Sequence, residues 1–157
     1  MAVQLVIYDE EHRAVTEVCE RLCREANARV VFVVDKNGQL IATAGDVGHL
    51  DSTSLASLVA GEIAATGGLA QLVGEKEFST LLHEGERDHI HISIVASRVI
   101  LVVIFDSRSS LGLVRLRVRK RSEQLTDIFH QLLARSAKRP SPLAEITEED
   151  IDNLFSG

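Results

Sequence analysis

The chain has 157 residues, 45% of them hydrophobic but only 4% aromatic, and a formal net charge of −6. That length suits one domain whose single core is built from Val, Leu, Ile and Ala. The acidity argues against nucleic acid as a partner, and the N-terminal MAVQLVIYDEEHR has neither the basic stretch nor the long apolar run of a secretory signal, so a cytoplasmic protein is expected.

From Glu10 to Ala26 the apolar positions Val15, Val18, Cys19, Leu22, Cys23 and Ala26 recur at helical spacing, predicting a helix with one buried stripe. The two cysteines of the chain, Cys19 and Cys23, fall on that stripe and read as small buried hydrophobes rather than metal ligands. RVVFVVDKNGQLIATAG (29 to 45) places Asn37-Gly38 between two apolar runs, a hairpin signal because both residues tolerate positive φ. The first run is apolar throughout, as in a strand covered on both faces.

Asp51 or Ser52 can cap a long helix that runs to about Val73 and stops at Gly74. Its 22 or so residues extend roughly 33 Å. STLLHEG (79 to 85) reads as a short strand, HIHISIV (89 to 95) alternates strictly, and VILVVIF (99 to 105) is continuously apolar, as in a central strand. LVRLRVRKR (113 to 121) alternates like a strand, but Leu125, Ile128, Phe129, Leu132 and Leu133 follow at helical spacing. One helix over residues 110 to 135, capped by Ser109 or Ser110, accommodates both segments.

Both prolines lie in the linker 136 to 142, which separates residues 1 to 135 from a tail, 143 to 157. Within the tail Thr147 and Asp150 resemble a capping box, and Ile146, Ile151, Leu154 and Phe155 line one side of a short amphipathic helix. Such a helix is marginal alone in water and is expected to fold when docked.

Catalytic signatures are missing from the sequence. There is no GxxxxGK[ST] loop, no G-x-S-x-G and no H-E-x-x-H. His83, His89 and His91 sit on adjoining strands, yet further ligands are not evident, so no metal or cofactor is expected. The basic run Arg115, Arg117, Arg119, Lys120 and Arg121 reads as a solvated helix face, partly neutralised by Glu145, Glu148, Glu149, Asp150 and Asp152 of the tail. The apolar windows 29 to 35 and 98 to 106 are too short to span a bilayer, which takes about 20 residues as helix. Glu62, Gln71 and several serines make the long helix a poor span.

That long helix is the unusual feature. Leu55, Leu58, Val59, Ile63, Leu69, Leu72 and Val73 form a large side, expected to pack on the sheet. The other side shows Ser57, Ala60, Gly61, Ala64, Gly67, Gly68 and Gln71, with Ala60-xxx-Ala64-xxx-Gly68 and Ser57-xxx-Gly61 spacings that let two backbones approach closely. A helix buried on both sides is the plain explanation. Mid-helix glycines, however, each cost about 0.5 to 1 kcal/mol relative to Ala, a loss easier to understand if a flat contact platform is needed.

The order α-β-β-α-β-β-β-α with a small-residue second helix resembles the Roadblock domain of dynein light chains and their prokaryotic relatives. VVFVVDKNGQLIATAG, DSTSLASLVAGEIAATGGLAQLVGE, SRVILVVIFDSRSSLGLVRLRVRK and the tail AEITEEDIDNLFSG resemble the MglB-type members found in gliding bacteria. The resemblance implies an α+β, profilin-like fold. Its five-stranded antiparallel sheet has one long helix on one face and two helices on the other.

It also implies a homodimer with one continuous sheet, two copies engaging one Ras-like small GTPase of the MglA type as its GTPase activator. The expected setting is cell polarity and gliding motility, with enrichment at a cell pole. The partner surface it implies is Ser57, Ala60, Gly61, Ala64, Thr66, Gly67, Gly68 and Gln71, with a second contact at Ile151, Leu154 and Phe155. Arg98 and Arg108, in expected loops, are candidate arginine fingers. MglB-type proteins are thought to reshape the GTPase instead, so no catalytic residue is expected. A non-catalytic scaffold for a GTPase and a small-ligand sensor are the competing readings.

Overall fold

The computed structural model describes residues 7–138. Among them the order is α1 (Asp9–Glu25), β1 (Val30–Asp35), β2 (Leu40–Gly45), α2 (Ser52–Leu72), β3 (Thr80–Glu84), β4 (His89–Val95), β5 (Val99–Phe105) and α3 (Leu111–Lys138). The tail, including Ile151, Leu154 and Phe155, lies outside the described residues.

The five strands form one antiparallel sheet in the order β2-β1-β5-β4-β3. β1 and β5 are central, paired from Val30 with Ile104 to Asp35 with Val99, and every residue of both strands is buried. Their continuous apolar runs follow from having helices on both faces. Val31, Val33, Leu101, Val103 and Phe105 point to α1 and α3, whereas Val30, Phe32, Val34, Ile100, Val102 and Ile104 point to α2. The alternation of the strand thus splits one apolar run between two cores.

Local chemistry sets the joints. α1 ends with Asn27 at φ 50°, and Cys23 and Leu22 carbonyls accept from the Ala28 and Ala26 amides. At Asn37-Gly38 the Asp35 carboxylate accepts from the Asn37 amide at 2.8 Å, and Gly38 takes φ 91°. Gly38 also lies 3.6 Å from Ser57 Cα, measured from where its Cβ would be, so the hairpin tip tucks against α2. The alternating segment 113–121 is helical: Val114, Val118, Leu125, Phe129 and Leu132 are all buried, a spacing of three, four and seven that only a helix places on one face. Ser110 caps it, its Oγ accepting from the Leu113 amide.

Candidate partner-binding surface on the second helix

α2 starts at Asp51, whose carboxylate accepts from both the amide and the hydroxyl of Ser54, at 3.1 and 2.6 Å. These hydrogen bonds hold the Asp51 carboxyl below its ordinary range. The helix stops at Val73, followed by Gly74 at φ 83°. Across the sheet it is tied to the edge strand by His83, which bonds the Glu62 carboxylate.

The side of α2 that meets the sheet is Ala56, Val59, Ala60, Ile63 and Ala70, all buried. Val59 and Ile63 face inward as the sequence predicts, and Leu55 packs beside them, but the rest of the expected large side does not. Leu58 is 73% exposed, Leu69 54% and Leu72 84%, and Val73 is exposed too. Ala56 and Ala60 join Val59 and Ile63 on the apolar surface of β1, β4 and β5, small enough to let the helix lie close, and these leucines are left on the opposite side.

The residues assigned to the partner surface do not all share one environment. Ser57, Gly61, Ala64, Gly68 and Gln71 are exposed, and Thr66 and Gly67 are half-buried. Ala60, at 8% exposure, belongs to the core. Thr66 turns its hydroxyl back onto the Ile63 carbonyl at 3.0 Å. Reading outward along the helix, Leu58, Gly61, Ala65, Leu69 and Leu72 recur at intervals of three and four and, with Gly68 beside Leu69, form one stripe left uncovered by the described residues. Leu58, Ala65, Leu69 and Leu72 are its additional members; their helical spacing was visible, but large apolar residues are expected inside.

A Cβ added at Gly61, Gly67 or Gly68 would meet nothing within 4 Å. Among the described residues, no neighbour therefore requires these glycines. α2 is also the one helix among the described residues long and apolar enough to cross a membrane, by length and composition. Here it lies on the sheet.

The arginines considered as fingers stand at opposite ends of β5, about 20 Å or more apart by strand rise. Arg108 is engaged by Asp106 through its Nε, at 3.1 Å, and Nη2, at 3.0 Å, while its carbonyl accepts from Asn27. That pairing holds the Asp106 carboxyl low and the guanidinium high.

The histidines separate. His83 pairs with Ile90 across the β3–β4 ladder, so it faces α2, whereas His89 and His91 face the other side. No cluster of three metal-ligating side chains occurs among the described residues. Cys19 and Cys23 are buried and unpaired with each other. Burial, then Cys23 and Glu20, pushes the Cys19 thiol up to about 12. The basic run of α3 is met by α1: Glu25 pairs with Arg117, at 3.9 Å, and with Arg121.

Residues 14–105 match the Roadblock/LC7 domain. Among solved structures, MglB of Myxococcus xanthus is 59% identical, with a TM-score of 0.77 over 82% of this chain and 96% of that one. The gliding protein MglB of Thermus thermophilus is 33% identical, with a TM-score of 0.77 over 83% of this chain and 99% of that one. An MglB described in a tetrameric arrangement is 34% identical, with a TM-score of 0.76 over 84% and 99%. No curated protein sequence matches. The chain belongs to the Roadblock/LC7 family and, within it, to the MglB-type proteins.

Proposed function

We propose that this protein is a GTPase activator for a Ras-like small GTPase of the MglA type and works as a homodimer in the cytoplasm, enriched at a cell pole, in cell polarity and gliding motility. The observation that carries the reading is the outer face of α2, where leucines are exposed and a Cβ at any of three glycines would meet nothing within 4 Å among the described residues. Apolar surface of this kind on a small domain marks a contact site, and the glycines lower its relief so that another backbone can come close.

In this reading two copies join through a sheet edge. β2 and β3 are the free edges, and β3 is the less covered, with Thr80, His83 and Glu84 exposed. An antiparallel continuation there would satisfy the unpaired amides and carbonyls of the edge. It would also bring the two α2 helices together on one face as a platform for the switch segments of the GTPase. Ile151, Leu154 and Phe155 supply a second contact.

The mechanism is remodelling rather than donation of a side chain. An arginine finger contributes about 10³ to 10⁵ in rate when it reaches the phosphates. Arg108 is already held by Asp106, and α2 offers no arginine at all. What the platform can do is hold the partner's own catalytic groups in their working positions, a gain in positioning.

Single-turnover phosphate release from a GTP-loaded Ras-like GTPase of the MglA type, with and without this protein, tests the reading. Acceleration that survives Arg98→Ala and Arg108→Ala supports it. Binding without acceleration leaves only the scaffold, and a loss of about 10³-fold in either variant with binding intact restores the finger.

A further inference from the structure

On the sheet face opposite α2, β4 places His91 and Ser93 beneath α3. Each is almost wholly enclosed, at 2% and 7% exposure. Among the described residues neither His91 Nδ1 nor Ser93 Oγ has a hydrogen-bond partner. Native proteins rarely leave such atoms unsatisfied, because burial removes the water they would otherwise bind. Both residues line a groove of about 440 Å³ whose other polar lining is Ser79, Thr80 of β3 and Arg115, Arg119 and Ser122 of α3.

The composition of the groove defines what fits it. Two arginines line it and, among the described residues, no carboxylate does. Neither Arg115 nor Arg119 forms an ion pair among the described residues. A cation is therefore repelled, and an apolar ligand leaves the buried atoms orphaned. Two arginine forks, four hydroxyls and an imidazole are more donors than the two oxygens of a carboxylate use, and they suit the three oxygens of a phosphate. A groove of this size exceeds one phosphate and lies in the usual range for small-molecule sites, about 300 to 1,000 Å³. We propose that this groove binds the phosphate group of a small phosphomonoester, with Arg115, Arg119, Ser93 and His91 as its donors.

The electrostatics of His91 provide a reporter. Burial, and then Arg115, push its pKa down. A bound dianion beside the ring reverses the second effect and raises it. The other titratable group on this face of β4 is His89, beside Glu84 of β3, while the groove side of β5 opposite His91 offers Val103.

The test is a titration of the full chain with inorganic phosphate, followed by NMR of the histidine side chains. Acetate at equal ionic strength serves as the carboxylate control, and His91→Gln identifies the resonance. A saturable His91 response to phosphate with a raised pKa is expected. It should weaken about tenfold for each arginine removed, in Arg115→Gln and in the double variant with Arg119→Gln. Arg119→Gln alone gives the same reading should the double variant fail to fold. Three results overturn the proposal: no saturable response, affinity unchanged without the arginines, or an equal response to acetate. The last would point to the carboxylates of the tail as the occupant.

Discussion

The two faces of the sheet are built on different principles. On one, α1 and α3 bury Val15, Val18, Cys19, Leu22, Val114, Leu125, Phe129 and Leu132 and turn charge outward. Ion pairs between Glu25 and Arg121 and between Glu11 and Arg135 fasten the two helices together. On the other face α2 is the one helix among the described residues; it buries Ala56, Ala60 and Ala70 with Val59 and Ile63, and keeps Leu58, Leu69 and Leu72 outside. A helix usually spends its largest apolar side chains on its own core. α2 keeps Leu58, Leu69 and Leu72 on its outer side, as suits a side that is covered when the protein works.

The comparison can be broken most directly with paired truncations. Phe129→Ala, in the closed core, is expected to cost about 3 to 5 kcal/mol of unfolding free energy. Leu72→Ala, at 84% exposure, should change the stability of an isolated protomer by no more than about 0.5 kcal/mol. Urea unfolding at several protein concentrations makes the test sharper. If a second copy covers α2, Leu72→Ala destabilises more at high concentration than at low, because association adds to apparent stability by mass action. Equal large losses from both substitutions at every concentration would mean that the two faces do not differ.

A second experiment separates surface from interior on α2 itself. Ala64 and Gly68 are exposed, and open space surrounds the position of a Gly68 Cβ. The double variant Ala64→Arg with Gly68→Arg is therefore expected to keep its circular dichroism spectrum while losing GTPase binding, the two guanidinium groups forcing apart what the small residues brought close. An unfolded double variant would place this face inside.

The glycines give a smaller effect of opposite sign. Gly67→Ala and Gly68→Ala should each raise the stability of the protomer by about 0.5 to 1 kcal/mol, since a methyl group restricts the unfolded chain and meets nothing in the folded one. In the proposed function the same changes weaken partner binding. Gly45 is the contrast. It holds φ 97°, and a Cβ there would stand 2.5 Å from the Arg29 carbonyl oxygen, so Gly45→Ala should destabilise as strongly as a core truncation.

How much of this could be read from the residues follows from which forces decide each feature. Strands β1, β4 and β5 are spelled out by their apolar runs and alternation, and α1 by its stripe, because burial and periodicity coincide there. The orientation of α2 follows only in part from its sequence. Nearly every position is apolar or small, so its sequence defines a helix but only part of which side faces in: Val59 and Ile63 turn inward as the preference for large residues expects, whereas Leu58, Leu69 and Leu72 do not. Ala56 and Ala60 take part in the sheet contact beside Val59 and Ile63. The small residues read from the sequence as a candidate platform, and the leucines exposed among them do not. The partner of the α3 arginines was likewise beyond reach, since Glu25 is 96 residues away from Arg121 in sequence.

The last and smallest contrast concerns acid. Asp51 starts the open helix, and its carboxyl is held low chiefly by the Ser54 side chain and also by the Ser54 amide. Glu25 joins the two closed helices, and its carboxyl is held low first by the Arg121 hydrogen bond. Both are deprotonated more readily folded than unfolded, so each adds stability that is fully present above the unfolded value, about 3.9 for Asp and 4.3 for Glu. That stability is lost as pH falls through the folded value. Thermal unfolding followed from neutral pH down to the acid limb should therefore flatten in Asp51→Asn and in Glu25→Gln, for different reasons. Asn keeps a capping oxygen and so removes the acid dependence with little change at neutral pH. Gln leaves Arg121 without a counter-charge and should lower the melting temperature at neutral pH as well. If Asp51→Asn instead proves the more damaging at neutral pH, α2 depends on its charged start more than α1 and α3 depend on their bridge, and the closed face is held by its apolar core alone.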